Sequence, residues 1–263
     1  MTWFSANLGF LFKTLPLADR VRAAQAAGFD AVEFHDEVQT TDCVALARAL
    51  EDTGLPVCGL NIRMGETAGC AAIAGAEARF RRDLDAAQRA AATVDAPAIH
   101  ILAGKTDAPD AAAVYRRNLR HALDATDRVI LIEPICRAAM PGYFLHDLDQ
   151  AQAIVDEIAH PRLRILFDCF HIEMEHGDCL ARLRRHAGAI GHVQIASLPD
   201  RAEPDGGTLD LGQVLATLDA QGYGGAIGCE YRPQRADFDW LQRLRRRDGA
   251  AGVAPDRLKP SRA

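Results

Sequence analysis

No run of uninterrupted apolar residues in the sequence approaches the ~20 needed to cross a bilayer, so no membrane association is expected. No basic, apolar-cored leader follows Met1, and no signal peptide is predicted. The seven cysteines, at positions 43, 58, 70, 136, 169, 179 and 229, form no Cys-x-x-Cys pair and are odd in number. That pattern favours reduced thiols in a cytoplasmic protein over a disulfide framework or a zinc knuckle. A Gly-x-Gly-x-x-Gly turn after the first strand is missing, as is a Walker loop, since Gly104-Lys105-Thr106 lacks the preceding glycine spacing. Dinucleotide and nucleotide chemistry are thereby disfavoured. An excess of positive charge is also missing: 30 Lys and Arg stand against 36 Asp and Glu, and the net charge of −6 argues against a nucleic-acid partner, because phosphate binding needs Lys and Arg concentrated on one face. The run Arg243, Arg245, Arg246, Arg247 reads as the solvated end of a last helix, cations near its negative pole.

What is present is a repeat of strand and helix. With 49% hydrophobic and 25% charged residues over 263 positions, the composition is that of a globular enzyme with a large core. Apolar or β-branched segments near 3–8, 31–34, 56–61, 98–102, 129–133, 163–168, 190–195 and 225–231 read as strands. Amphipathic segments near 17–27, 42–52, 77–93, 110–127, 147–159, 180–185, 210–220 and 238–247 read as helices. Strict alternation implies parallel strands with right-handed crossovers, and eight of them favour closure into an α/β single (β/α)₈ TIM barrel. The barrel is expected to occupy residues 1–248 as one domain, with a polar tail over 249–263.

Four of the strand segments end on an oxygen donor. Val129-Ile130-Leu131-Ile132 runs into Glu133 and then Pro134, which cannot continue a strand. Ile165-Leu166-Phe167 ends on Asp168, His192-Val193 on Gln194, and Ile227-Gly228-Cys229 on Glu230. Strand ends of a parallel barrel converge on one mouth, so Glu133, Asp168, Gln194 and Glu230 could share a small volume. Three carboxylates and an amide oxygen suit a hard divalent ion, Mg²⁺ or Mn²⁺, better than Zn²⁺. Crowded without a cation, the acids would repel one another. The bland alternative for each acid is a strand-end cap or a pairing with a nearby arginine.

Other candidates flank this set. His171 is read in the loop after strand six, able to donate to a substrate oxygen or simply to brace the loop. Arg201, in a 199–207 loop over the mouth, could grip a substrate carboxylate or hydroxyl, or pair with Glu203. Lys105 is a weaker candidate for an anionic group. His192 shares the parity of Gln194 one layer deeper, which suits packing or support. Glu33, His35, Asn61 and His100 also lie in or near strand ends and invite the same caution.

An ordered set of motifs carries a resemblance. Phe4-Ser5-Ala6-Asn7-Leu8, Val32-Glu33-Phe34 after Gly28-Phe29, Ala103-Gly104-Lys105-Thr106, Ile132-Glu133-Pro134-Ile135 and Pro141-Gly142-Tyr143 come in the first half. Phe167-Asp168 with His171, Gly191-His192 with Gln194-Ile195-Ala196, Arg201 with Glu203-Pro204, and Gly228-Cys229-Glu230-Tyr231 follow. Together, from about Phe4 to Pro233, they resemble the hydroxypyruvate isomerase family of xylose isomerase-like barrels. The resemblance implies that Glu133 and Glu230 exchange a proton with substrate, and that Glu133, Asp168, Gln194 and Glu230 hold a divalent metal ion. It implies substrate contacts for His171 and Arg201, and a homodimer. It further implies isomerisation of a small hydroxy-oxo acid, hydroxypyruvate to tartronate semialdehyde, with a 2-oxo-tetronate isomerase or ketose 3-epimerase as the alternative. Two mouth segments depart from the family pattern: Cys136-Arg137-Ala138-Ala139 stands where relatives have Asn and then Arg-Asp, and the Arg63–Thr67 loop is short and lacks a tryptophan.

Overall fold

A computed structural model describes residues 2–249, with side chains in the last helix described through Arg245. The side chains of Arg246 and Arg247 and, Gly249 apart, the expected polar tail lie outside the described residues. Strands β1 (Phe4–Asn7), β2 (Ala31–Phe34), β3 (Val57–Asn61), β4 (Ala98–His100), β5 (Val129–Ile132), β6 (Leu163–Asp168), β7 (Ile190–Ile195) and β8 (Ile227–Cys229) close into a barrel in sequence order. Every pairing is parallel, β8 returning to β1 through Phe4 opposite Ile227. Between the strands run α1 (Leu17–Ala27), α2 (Cys43–Thr53), α3 (Glu77–Thr93), α4 (Ala111–Ala125) and α5 (Leu148–Ile158). Then come α6 (Cys169–His176), α7 (Cys179–His186), α8 (Leu211–Ala220) and α9 (Asp239–Gly249).

Local chemistry sets several of these boundaries. Asp42 accepts from the amides of Val44 and Ala45 to start α2, and Asp147 accepts from Gln150 to start α5. Gly28, at φ 91°, closes α1 in the left-handed region that a side chain would disfavour. One expectation is corrected here. His171 is not in a loop: Asp168 Oδ1 accepts from Phe170 N at 2.9 Å, so β6 passes straight into α6 and His171 sits in its first turn. The segment after β6 therefore holds two short helices where one was read.

The strands' outward residues, among them Ile99, Ile130, Ile132, Phe167 and Val193, join one core with the apolar faces of the helices. Each fully buried Leu, Ile or Phe there contributes roughly 1.5–3 kcal/mol. The inward parity is different. Ala98, Leu131 and Leu166 form a separate small cluster inside the barrel. Two residues further along the same strands come His100, Glu133 and Asp168, so the interior changes from apolar plug to polar mouth within one step of the pleat.

Candidate active site

Register brings the strand-end donors together. Asp168 lies opposite Gln194, and Gln194 opposite Gly228, two residues before Glu230. Glu133 and Glu230 each stand one residue past their strands, and all four are buried. Gln194, Glu133 and Glu230 border a cavity of about 30 Å³, floored by Leu131 and Leu166. Such a volume holds about one water or ion.

Arg201 ties the mouth together. Its Nη2 lies 2.9 Å from Asp168 Oδ2 and 3.2 Å from Glu230 Oε2, and its Nε donates to the Glu230 carbonyl at 3.2 Å. The guanidinium is held between the Phe10 ring (4.9 Å to the centroid) and the Phe170 ring (5.0 Å), a cation–π sandwich that excludes water from the ion pairs. Its backbone adopts φ 53°, a left-handed conformation that costs of order 1–3 kcal/mol in a non-glycine residue. The tie from Arg201 N to Ser197 O and from Arg232 N to Arg201 O holds it there. The pairing with Glu203 considered from sequence is not made: Glu203 accepts instead from the amides of Gln234 and Arg235.

His171 is buried between two partners. Arg201 Nη1 is 3.1 Å from its Nε2, and Cys136 Sγ is 3.2 Å from its Nδ1. A guanidinium can only donate, so Nε2 is the accepting nitrogen and Nδ1 carries the proton toward the sulfur. Burial first, and then the Arg201 charge, push its pKa well below the usual histidine range, in keeping with a neutral ring.

The two glutamates differ sharply in charge. Burial raises the pKa of Glu230, but Arg201 and the 3.0 Å contact to His35 outweigh it and hold the group down at about 2. Among the described residues, the cationic-type partners within 4 Å of Glu133 are His100 at 3.7 Å and His171 at 3.8 Å. Burial, then the charges of Glu230 and Asp168, raise its pKa well above the carboxylate range. Asp168 is raised to about 7, burial again outweighing Arg201. His100 donates from Nδ1 to Asn61 Oδ1 at 3.1 Å and is pushed down to about 3 by burial, so the face it turns to Glu133 is an uncharged nitrogen.

The donor set fits a divalent cation. Glu133 Oε1 and Gln194 Oε1 are buried without a hydrogen-bond partner, a costly state that a coordinated ion would relieve. Ligand atoms of Glu133, Asp168 and His171 lie within 4.8 Å of one another. Against up to three carboxylates stands one guanidinium, which leaves room for positive charge. Glu230 is not part of that close group; Arg201 stands between it and Asp168.

Lys105 is exposed beyond β4; Asp168, His171 and Arg201 also stand outside the cavity lining, but they contact one another and the strand-end glutamates, and Lys105 is not joined to that set. Residues underrated from sequence are Glu33, which bonds Asn7, His192 and Gln194, and Cys136. A carboxylate in the middle of the apolar run 31–34 was the available signal for the first. Nothing in the local sequence signals that Cys136 meets His171.

A parallel barrel with an acid-rich mouth at the carboxyl ends of its strands defines a class of small-molecule enzymes. Comparison with known proteins narrows it: residues 21–247 match the xylose isomerase-like TIM barrel family, and the chain belongs to that family. It is 38% identical to the 2-oxo-tetronate isomerase of Cupriavidus necator over 92% of this chain and 98% of the relative. It is 33% identical to the hydroxypyruvate isomerase of Escherichia coli over 93% of this chain and all of the relative. Among solved structures, one named as an AP endonuclease of family 2 from Brucella melitensis superposes with a TM-score of 0.88 at 33% identity, covering 94% and 99% of the two chains. An Escherichia coli 3-keto-D-glucoside 4-epimerase shares the fold, with a TM-score of 0.75 at 22% identity and coverage of 93% and 98%.

Proposed function

We propose that this chain, an isomerase of the aldose-ketose type, interconverts hydroxypyruvate and tartronate semialdehyde by moving a carbon-bound proton between Glu230 and Glu133. The observation that supports this reading most is the pairing of two buried glutamates at equivalent strand ends around one cavity, one held ionised and the other disposed to keep its proton. Environments that push two acids apart in pKa mark a base and an acid.

Glu230, ionised beside Arg201 and His35, is placed to take a proton from C3 of hydroxypyruvate. The electrons left behind form the C2–C3 double bond of an enediolate. Glu133 returns a proton to C2, while the hydroxyl proton passes from the C3 oxygen to the C2 oxygen, completing the aldehyde. Positioned acid and base groups of this kind contribute ~10²- to 10⁴-fold each. Glu133, Asp168 and Gln194, with Glu230 once it exchanges its Arg201 contact for the ion, would hold a divalent cation, Mg²⁺ or Mn²⁺, which when bound supplies charge stabilisation for the developing enediolate oxygens. Arg201 fixes Asp168 and Glu230 in place, and Phe10 and Phe170 keep water from that contact. His171, whose Nε2 accepts from Arg201 Nη1 and whose Nδ1 faces Cys136, contributes in this reading to placing the substrate's oxygens by holding the guanidinium at the mouth.

A second reading keeps the two glutamates and changes the carbon pair: the 2-oxo-tetronate isomerase relative at 38% identity favours a four-carbon oxo acid. Phosphodiester cleavage, suggested by the name of the Brucella structure, is less well supported, since the chain carries a net charge of −6 and its mouth is lined by acids. Cytoplasmic residence and a homodimer belong to the proposal as well. No described helix is long and apolar enough to cross a membrane.

The test is proton NMR of the purified protein with hydroxypyruvate in D₂O, with Mn²⁺ and then with a chelator. Conversion with deuterium entering at C2 of tartronate semialdehyde is expected. Turnover confined to four-carbon oxo acids or free ketoses would move the substrate to the second reading, and no exchange with any of them would sink both.

A further inference from the structure

An amide is ambiguous as a ligand, since its oxygen and nitrogen ends have the same shape and only hydrogen bonding decides which faces a site. In Gln194 the decision is made across the barrel interior by Glu33. Although β2 and β7 are not neighbours, Glu33 Oε1 lies 2.6 Å from Gln194 Nε2, with Asn7 Nδ2 on the same oxygen at 3.0 Å. Its other oxygen takes His192 Nε2 at 2.7 Å. A carboxylate only accepts, so turning the amide over would set oxygen against oxygen at contact distance. The nitrogen is thus committed to Glu33, and Oε1 of Gln194 is left buried with no partner beside the cavity that Glu133 and Glu230 border.

The backbone makes room for this bridge. A Cβ on Gly228 would lie 2.6 Å from Glu33 Oε2, 2.7 Å from Oε1 and 2.8 Å from Gln194 Cγ. Glycine on β8 is therefore a matter of space, letting the carboxylate and the amide meet over the strand.

We propose that Glu33 is a positioning residue: held by Asn7 and His192, it orients Gln194 so that the amide oxygen, not the nitrogen, faces the cation and substrate. The proposal rests on the metal-dependent reading above, and the readouts below separate the two. Mn²⁺ affinity is measured by titration calorimetry or electron paramagnetic resonance for the wild type, Glu33→Gln, Gln194→Glu and the exchange variant carrying both. In Glu33→Gln the amide can turn over, and Mn²⁺ affinity falls by about 10- to 100-fold, the usual effect of removing such a supporting group. Gln194→Glu sets two carboxylates against each other and lowers the thermal midpoint. The exchange variant restores a donor against an acceptor, with a glutamate oxygen facing the cavity, and recovers Mn²⁺ affinity to within a few-fold of wild type or better.

A folded Glu33→Gln with wild-type Mn²⁺ affinity would overturn the proposal, as would an exchange variant no better than Glu33→Gln alone. A readout that needs no variant is the Gln194 side-chain amide in ¹H–¹⁵N spectra of the metal-free wild type. One proton shifted downfield and slow to exchange is expected from the 2.6 Å contact, and a freely exchanging pair would refute the orientation even if every variant misfolded. Wild-type protein that binds no Mn²⁺ would remove the metal reading, and with it the cation as the target of the oxygen, while the amide signal would still decide whether Glu33 orients Gln194.

Discussion

Glu133 and Glu230 occupy the same station in the barrel, one residue beyond β5 and β8, yet the two halves of the mouth that receive them are unlike. On the β8 side, Glu230 meets a guanidinium and a histidine whose pKa, lowered by burial, is carried above normal by Glu230 itself. On the β5 side, Glu133 meets the neutral rings of His100 and His171 and the like charges of Asp168 and Glu230. The residue type and its place on the strand are identical. The difference comes entirely from neighbours on other strands and loops, and it is what separates a base from an acid.

The largest effect on this asymmetry is expected at Arg201. Replacing it with Ala leaves Asp168 and Glu230 buried without their counter-ion, which should destabilise the fold by roughly 3–5 kcal/mol and abolish turnover. Urea unfolding alongside an activity assay checks both, and a variant of near-normal stability would show that the buried ion pair does not hold the β8 side.

Substitution of the glutamates themselves separates the two sides. Glu133→Gln and Glu230→Gln should each lower kcat by ~10²- to 10⁴-fold. Their stabilities should diverge, because Glu230→Gln removes a charge from Arg201 and His35 whereas Glu133→Gln removes a carboxyl that burial and nearby acids disfavour in its ionised form. Equal thermal midpoints for the two variants would contradict the asymmetry.

A pH series tests the β5 side alone. The Glu133 carboxyl, raised above its unfolded value near ~4.3, holds its proton in the folded state after the unfolded chain has lost it. Its contribution to stability therefore falls as pH rises above that value. In metal-free protein, the stability gained by Glu133→Gln should grow between pH 5 and pH 8, read as the difference in thermal midpoint from wild type. A constant difference would mean that Glu133 is not strained by its surroundings, and added Mn²⁺ should reduce the effect.

Gly9→Ala probes the β8 side more gently. A Cβ there would stand 2.3 Å from His35 Nδ1, so the ring must move from Glu230. Overpacking of this kind costs typically ~1–3 kcal/mol, and the activity–pH profile should shift along with stability. The smallest effect is expected of Cys136→Ser, which keeps a partner for His171 Nδ1 and should alter KM by a few-fold with kcat nearly unchanged.

Much of the architecture was legible in the residues. The alternation of apolar runs with amphipathic segments is a local pattern, since burial on both faces of a parallel strand demands a continuous apolar run, and eight such runs close the barrel. Asp168 before an apolar stretch also carried a helix-start signal. A residue that ends a strand and caps a helix at once leaves no room for a loop, which is why His171 falls in a helix and not beyond a strand end.

The sequence by itself determined which residues reach the mouth: parity along β5, β6, β7 and β8 and the breaks that follow put Glu133, Asp168, Gln194 and Glu230 at converging strand ends. Tertiary structure alone decided what each one meets. Arg201 pairs with Asp168 and Glu230 rather than Glu203, two positions away, and Glu33 reaches a glutamine 161 residues later in the chain. Such contacts arise from closure of the barrel and the path of its loops. Burial then makes them strong, because a charge removed from water is governed by the few groups within a few ångströms, whatever their distance along the chain.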